Sequence, residues 1–317
     1  MSGSPPSPSP PRAPNAVADR ALRLLFWLNR RAPSVPRVIK RPALGLAWMA
    51  SGALRRGPLI NAARILGPAS SAADRTALAR RNVASFYDFV CEVGAHQHHT
   101  LAQLAARVAV TCGADAYRAA RERGTGAVLV TAHFGNFEVG LAEVRKIEDR
   151  VHVVFRRDAM GAFEDARSTL HRNLGIHETP IDDGLASWLD LRDALQADGV
   201  VLLQGDRAEP GQRYLDAPFF GAHLRVPAGP AKLALMTGAP LVPVFAVRDP
   251  DGLVQIVLGE PITVPDAHAV EPATRAVVRA LEGIVRQHPE QWHVLWPACL
   301  EDAEPSDGWA SPEGTPG

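Results

Sequence analysis

Residues 129–140 read LVTAHFGNFEVG. An apolar run, Val128 to Val130, ends at His133, and Gly135, Asn136 and Glu138 follow before apolar residues resume. Short runs rich in valine and leucine read as buried strands. Gly135 permits a close or left-handed backbone, and Asn136 is a good helix N-cap. The stretch therefore reads as strand, tight turn, helix. Parallel sheets present reactive groups just beyond the carboxyl ends of their strands, where loops meet helix N-termini, and His133 stands at such an end. Glu138 lies five residues further on, within reach if the turn folds back. A carboxylate bonded to one ring nitrogen fixes the tautomer and leaves the other free to take a proton. On spacing alone the pair is more often structural than catalytic.

Working outward, the same texture repeats. From Gly124 onward, short apolar runs (AVLVTA, VHVVF, IHETP, VVLLQGD, APLVPVFAV, LVQIVLG) alternate with amphipathic segments such as GAFEDARSTLHRN and DDGLASWLDLRDALQADG, and a last helix spans roughly residues 272–287. This alternation predicts an α/β fold, a mostly parallel central sheet flanked by helices. Before Gly124 the chain reads helical, including a helix from Asp74 with Leu78, Val83, Phe86 and Phe89 near helical spacing. Four regions follow: a Pro/Ser-rich tail over 1–15, a basic amphipathic segment over 16–70, a main domain over 71–300, and a loose polar tail over 301–317. No internal repeat is visible.

The chain has 317 residues and a formal net charge of zero. The zero conceals an asymmetry: the first 65 residues hold eleven Arg or Lys and one acid, Asp19. Basic residues mixed with leucines and tryptophan suggest an anionic membrane surface more than nucleic acid, for which no recognition motif is present. No segment reaches the roughly 18–20 apolar residues that a spanning helix needs. ALGLAWMASGAL, residues 43–54, and RALRLLFWLNRR, residues 20–31, are read either as interfacial helices with arginines at the headgroups or as helices packed on the protein's own core. The opening stretch lacks the charged-then-apolar pattern of a secretory signal. Three widely spaced cysteines speak for a reducing compartment and against a disulfide framework or a structural zinc site. No Walker loop, G-x-S-x-G elbow or H-E-x-x-H is present, and HQHH at residues 96–99 reads as a solvated loop rather than a metal site.

TAHFGNFE resembles the first signature block of the lipid A late acyltransferases (the lauroyl/myristoyl acyltransferase family), a branch of the lysophospholipid and glycerolipid acyltransferases. VVFRRDAM, GVVLLQGDRAEPG with DAPFFG, VPAGPAKLALMTGAPLVPVF and HPEQW resemble the later blocks in order. The resemblance covers roughly residues 75–297. It implies an O-acyltransferase in which His133 deprotonates a hydroxyl that attacks a fatty acyl thioester, with Glu138 orienting and polarising His133. Arg156 would hold an anion of donor or acceptor, with Arg157 less clearly placed. Asp206 would bond the acceptor sugar, orient Arg156 or cap a turn, Arg207 would serve an anionic headgroup, and Asn136 would line the substrate site. The implied partners are acyl carrier protein or acyl-CoA, a membrane glycolipid and an anionic membrane surface, with no metal and no cofactor beyond the acyl donor. The implied location is the cytoplasmic face of a bacterial inner membrane, peripheral or monotopic. Two features depart from the family: the late block lacks its His-Arg-Arg run, and the N-terminal spanning segment is reduced to twelve residues. Other acceptors, such as phosphatidylinositol mannosides, therefore stay open. A thioesterase using the same site on water, and a silent membrane-binding protein of the same fold, are the alternative readings.

Overall fold

The computed structural model describes residues 16–157, 161–208 and 213–300. Helices come first: α1 (Ala16–Arg31), α2 (Ser34–Ala50), α3 (Gly52–Leu66), the long α4 (Ala72–His96) and the short α5 (Leu101–Ala105). Strands and helices then alternate as β1 (Val108–Cys112), α6 (Ala114–Arg121), β2 (Ala127–Thr131), α7 (Phe137–Ile147), β3 (Val151–Phe155), α8 (Gly161–Leu174), β4 (His177–Pro180), α9 (Leu185–Gln196) and β5 (Val200–Gln204). The hairpin β6 (Tyr214–Phe219) and β7 (Ala222–Pro227) leads to α10 (Gly229–Thr237), β8 (Leu241–Arg248), β9 (Val254–Leu258), α11 (Val270–Gln287) and the short β10 (Cys299–Leu300).

Seven strands form one sheet in the order β1-β9-β8-β2-β5-β3-β4, and a second sheet pairs β10-β7-β6. Every pairing in the large sheet is parallel except β8 with β9. β2 lies at its centre between β5 and β8, and every residue of β2 is buried. Successive strand residues face opposite sides, so Ala127 and Leu129 join the core beneath α7, whereas Val128 and Val130 pack toward α9, α10 and α11. Each fully buried valine or leucine here contributes about 2 kcal/mol. Burial on both faces is why these strands read as continuous apolar runs rather than alternating ones.

The N-terminal helices pack one face on the protein's own core. Phe26 packs inward against Phe89, Val93 and Ala166, and Trp48 against Leu78 and Val83. Their other faces leave Leu24, Trp27, Val38, Leu46 and Met49 exposed among the arginines. The twelve-residue apolar stretch is not one helix: Ser51, in an extended conformation, ends α2 and accepts from Leu54 N to cap α3. Among the described residues no helix is long and apolar enough to cross a membrane. α4 begins at Ala72 rather than Asp74. Ser71 is the cap, and Asp74 returns the bond from the third position, the reciprocal pattern of a capping box. At its other end His96 is buried, its ring tilted against that of His99 with centroids 4.9 Å apart. Only His98, which meets Arg30, is fully at the surface, so the HQHH segment is largely packed rather than solvated.

Candidate active site

β2 and β5 are paired in register, Thr131 opposite Gln204. Two residues beyond those positions stand His133 and Asp206. The Nδ1 of His133 lies 2.9 Å from Asp206 Oδ1, and the backbone N–H of His133 donates to Asp206 Oδ2 at 3.1 Å. A third donor, Trp292 Nε1, meets Oδ2 at 3.0 Å. The Asp206 side chain is wholly buried, whereas 32% of the His133 side chain is exposed. Burial alone raises a carboxyl's pKa, but the adjacent His133 ring and the three hydrogen bonds outweigh it and hold Asp206 below the usual carboxylate range. An ionised carboxylate only accepts, so Nδ1 carries a proton, and in the neutral ring the lone pair is then on Nε2. The His133 ring also meets Trp296 edge-on at 5.6 Å.

The turn after His133 is fixed from the backbone. Gly135 has φ +57°, and a Cβ there would run into the Ala246 carbonyl. Gly135 N donates to Gln291 O at 2.9 Å and Asn136 N to Ala246 O at 3.0 Å, while the His133 carbonyl accepts from His293 N at 2.6 Å. Gln291 also clamps Arg248, accepting from its backbone N–H and donating to its carbonyl. The segment from Gln291 to Trp296 thus backs the whole site.

Glu138 sits elsewhere, which corrects the orienting role toward His133 that the resemblance implies. Its Oε2 meets Nε2 of His171 at 2.8 Å, and Nδ1 of His171 meets Glu178 Oε1 at 2.7 Å. Among the described residues no hydrogen bond joins Glu138 to His133; the partner of His133 is Asp206. Burial by itself lowers the pKa of His171, but the two flanking carboxylates reverse this and raise it to about 9. His171 is therefore an imidazolium that ties α7 to α8 and β4. The turn aims Glu138 inward at the first turn of α7, away from the open edge of the imidazole.

Asn136 caps α7 as expected, accepting from Val139 N at 3.1 Å. Its amide N–H donates to Glu92 at 2.5 Å, and the residue is buried, so the structure gives it protein partners rather than an open face. Glu92 also meets Arg248, which reaches Asp88, and Asp88 pairs with Lys40 of α2 at 2.6 Å. An ionic chain thus runs from the N-terminal helices to the turn after His133.

Arg156 and Arg157 follow β3 at the same end of the sheet. Arg156, with 54% of its side chain exposed, lies 3.4 Å from Asp182, and Arg157 makes a two-pronged contact with Asp183 at 2.9 and 3.2 Å. The guanidinium of Arg207 stacks 4.6 Å above the ring of Trp296. Phe219, Phe220 and Gly221 form the tip of the β6–β7 hairpin, with Phe220 and Gly221 both at positive φ, as a two-residue turn of this hand requires. Residues 158–160 and 209–212, within two of the resembling blocks, lie outside the described residues. A small apolar cavity of about 10 Å³, lined by Val130, Gly205, Pro227, Pro230, Ala231 and Leu241 among others, abuts the ends of β2 and β5. Among the described residues no group of three or more His, Cys, Asp or Glu side chains is arranged to hold a metal ion.

A strand-end histidine, its ring partly exposed and its inner nitrogen held by a buried carboxylate, is the working arrangement of a general base. The model of the bacterial lipid A biosynthesis acyltransferases matches residues 26–299, and the chain belongs to that family. It is an acyltransferase with a mostly parallel α/β sheet. It is also 28% identical over 250 residues to a phosphatidylinositol mannoside acyltransferase of Mycobacterium tuberculosis, covering 78% of this chain and 77% of the relative. It is 30% identical over 186 residues to a phosphatidylinositol mannoside acyltransferase of Mycolicibacterium smegmatis, covering 58% and 60% of the two chains.

Sequence reasoning did not find His171, Gln291, Trp292 or the Arg248–Glu92 pair. It named Asp206 without its role. One signal was present: VLVTAH and VLLQGD are equal-length runs, each placing a polar group at the same step past a buried strand.

Proposed function

We propose that the protein moves a fatty acyl chain from an acyl thioester, on acyl carrier protein or coenzyme A, to a hydroxyl of a membrane phosphoglycolipid. His133 is the general base and Asp206 its partner. The observation that carries this reading is a partly exposed histidine whose Nδ1 is bonded to a buried, ionised carboxylate. An alcohol becomes an effective nucleophile when its proton leaves as the new bond forms. Nε2 takes the hydroxyl proton while the oxygen attacks the thioester carbonyl. The C–S bond then breaks, and the departing sulfur receives the proton from the imidazolium, whose charge Asp206 has balanced. The half-exposed Arg156 and the exposed Arg207 suit the anionic parts of donor or acceptor.

The names of the relatives favour a phosphatidylinositol mannoside-type acceptor over a lipid A precursor. Inositol phosphate and mannose would offer an anion and several hydroxyls. The exposed apolar side chains of α1 and α2, interspersed with Arg20, Arg30, Arg31, Arg37 and Arg41, suit docking in the interfacial plane of an anionic bilayer. We place that docking on the cytoplasmic face, where acyl thioesters are made.

The test is incubation of the full chain with an isotopically labelled acyl thioester and separate lipid A precursors, phosphatidylinositol mannosides and lysophospholipids, followed by mass spectrometry of the lipids. Label in a glycolipid ester, lost in His133→Ala, is expected. Thioester consumption with only free fatty acid formed would establish a hydrolase and overturn the proposal.

A further inference from the structure

We infer that the indole N–H of Trp292 is a positioning group for the Asp206–His133 pair, supplied from a segment 86 residues beyond the carboxylate it holds. The inference rests on the general-base reading above. Asp206 receives three hydrogen bonds, two of them from His133 itself, through its ring and its backbone N–H. A carboxylate held only by the residue it must orient can turn with that residue. Trp292 Nε1 is the donor that ties it to something independent.

The indole is itself firmly placed. It is 2% exposed, with its ring centroid 5.1 Å from that of Phe219, and its backbone forms a bridge with Phe134. The Asn82 amide donates to its carbonyl. The next residue, His293, donates its N–H to the His133 carbonyl. A single short segment therefore grips both members of the pair. A buried tryptophan finds a partner for its N–H in most settings. Here that partner is an ionised carboxylate in direct contact with the base, so the bond acts on the chemistry and not only on packing.

An N–H bonded to a carboxylate withdraws charge from it and lowers its basicity. Without that bond Asp206 pulls harder on the Nδ1 proton, which favours the imidazolium, and its plane is free to turn. Among the described residues, other charged or titratable groups bear on Asp206 and its surroundings. His133 faces Asp206 from the end of β2, Arg207 lies across the Trp296 ring, and His293 is held neutral by burial, with its pKa lowered to about 3.

The test uses three variants of the full chain, with Asp206→Asn and His133→Ala as controls. Trp292→Phe keeps most of the ring and removes the N–H. Replacement of Trp292 by 3-benzothienylalanine through amber suppression keeps the two-ring shape, puts sulfur in place of N–H, and decides the matter if Trp292→Phe does not fold. Phe219→Leu loosens the packing on the indole and leaves its N–H in place. Loss of the N–H is expected to lower kcat roughly tenfold, the size of one charge-assisted hydrogen bond. The acid limb of the kcat profile is expected to move up by about half to one pH unit, with KM for donor and acceptor within about twofold. Phe219→Leu is expected to lower Tm and leave the acid limb unmoved. If the benzothienyl variant keeps the wild-type kcat and acid limb while Asp206→Asn is inactive, Trp292 is only core and the inference is overturned. If Asp206→Asn and His133→Ala are both active, it is the general-base reading that has failed.

Discussion

Replacing Asp206 by asparagine gives the sharpest measure of the proposed chemistry. The substitution preserves size but removes the charge that faces the imidazole. It also sets an amide that both donates and accepts against three N–H donors, so at least one bond in the present arrangement is lost. With nitrogen and oxygen 2.9 Å apart, the charge centres lie about 4 Å apart, and at an effective dielectric of about 20 their attraction is about 4 kcal/mol. That attraction is realised fully only when the imidazolium forms, so its loss falls on the transition state and lowers kcat by roughly a thousandfold. A neutral side chain also permits the wrong imidazole tautomer, which adds to the loss. The assay is initial-rate transfer of a labelled acyl group to the preferred lipid, with KM measured for both substrates and folding checked by circular dichroism. A folded Asp206→Asn protein retaining kcat within about threefold of wild type would refute the pairing, because no arrangement that depends on this charge tolerates its removal.

His171 makes stability depend on pH. Its folded-state pKa of about 9 lies above its ordinary value of 6.5, so the stabilisation is complete below about pH 6.5 and lost as pH rises through 9; the shift corresponds to about 3 kcal/mol. Urea unfolding at pH 6.5, 8 and 9.5 should show this decline in the wild type and a flatter profile in His171→Gln. Gly135→Ala forces a Cβ onto the Ala246 carbonyl at positive φ and is expected to cost more than about 2 kcal/mol or to prevent folding. Gly283→Ala, with open space around its Cβ inside α11, should instead stabilise by about 0.5–1 kcal/mol; equal thermal shifts of the two would contradict the packing described. The double variant Leu24→Glu, Trp27→Glu alters two exposed side chains of α1 and is expected to weaken co-sedimentation with anionic vesicles by about tenfold or more. Unchanged partitioning would sink the docking role of that face.

The fold was legible because strands buried on both faces leave uninterrupted valine and leucine runs, and these stand out between amphipathic helices. The turn at Gly135 and the cap at Asn136 were legible for the same local reason: backbone conformation there constrains residue type. Partner choice was not. Glu138 is near His133 in sequence, yet the first turn of α7 carries its carboxylate to His171, a residue 33 positions away. Asp206 reaches His133 because β5 pairs with β2, and strand order in a parallel sheet depends on crossovers that a local pattern does not encode. Trp292 was hidden more thoroughly, since a tryptophan near a helix end carries no mark of where its N–H points. The basic N-terminal zone was legible as amphipathic, but Phe26 and Trp48 turn inward, which only the packing of α4 determines.

The Gln291–Trp296 segment has a consequence for how the protein comes into being. A chain is made from its N-terminus, and the parts made first fold first. α1 and α2, with their apolar and arginine-rich faces, emerge long before the tryptophan that holds Asp206 and the backbone that grips His133. With the docking and the base proposed above, the polypeptide can settle on a bilayer while His133 still lacks its fixed carboxylate. On that reading biogenesis brings the protein to its lipid before it can spend an acyl thioester on water.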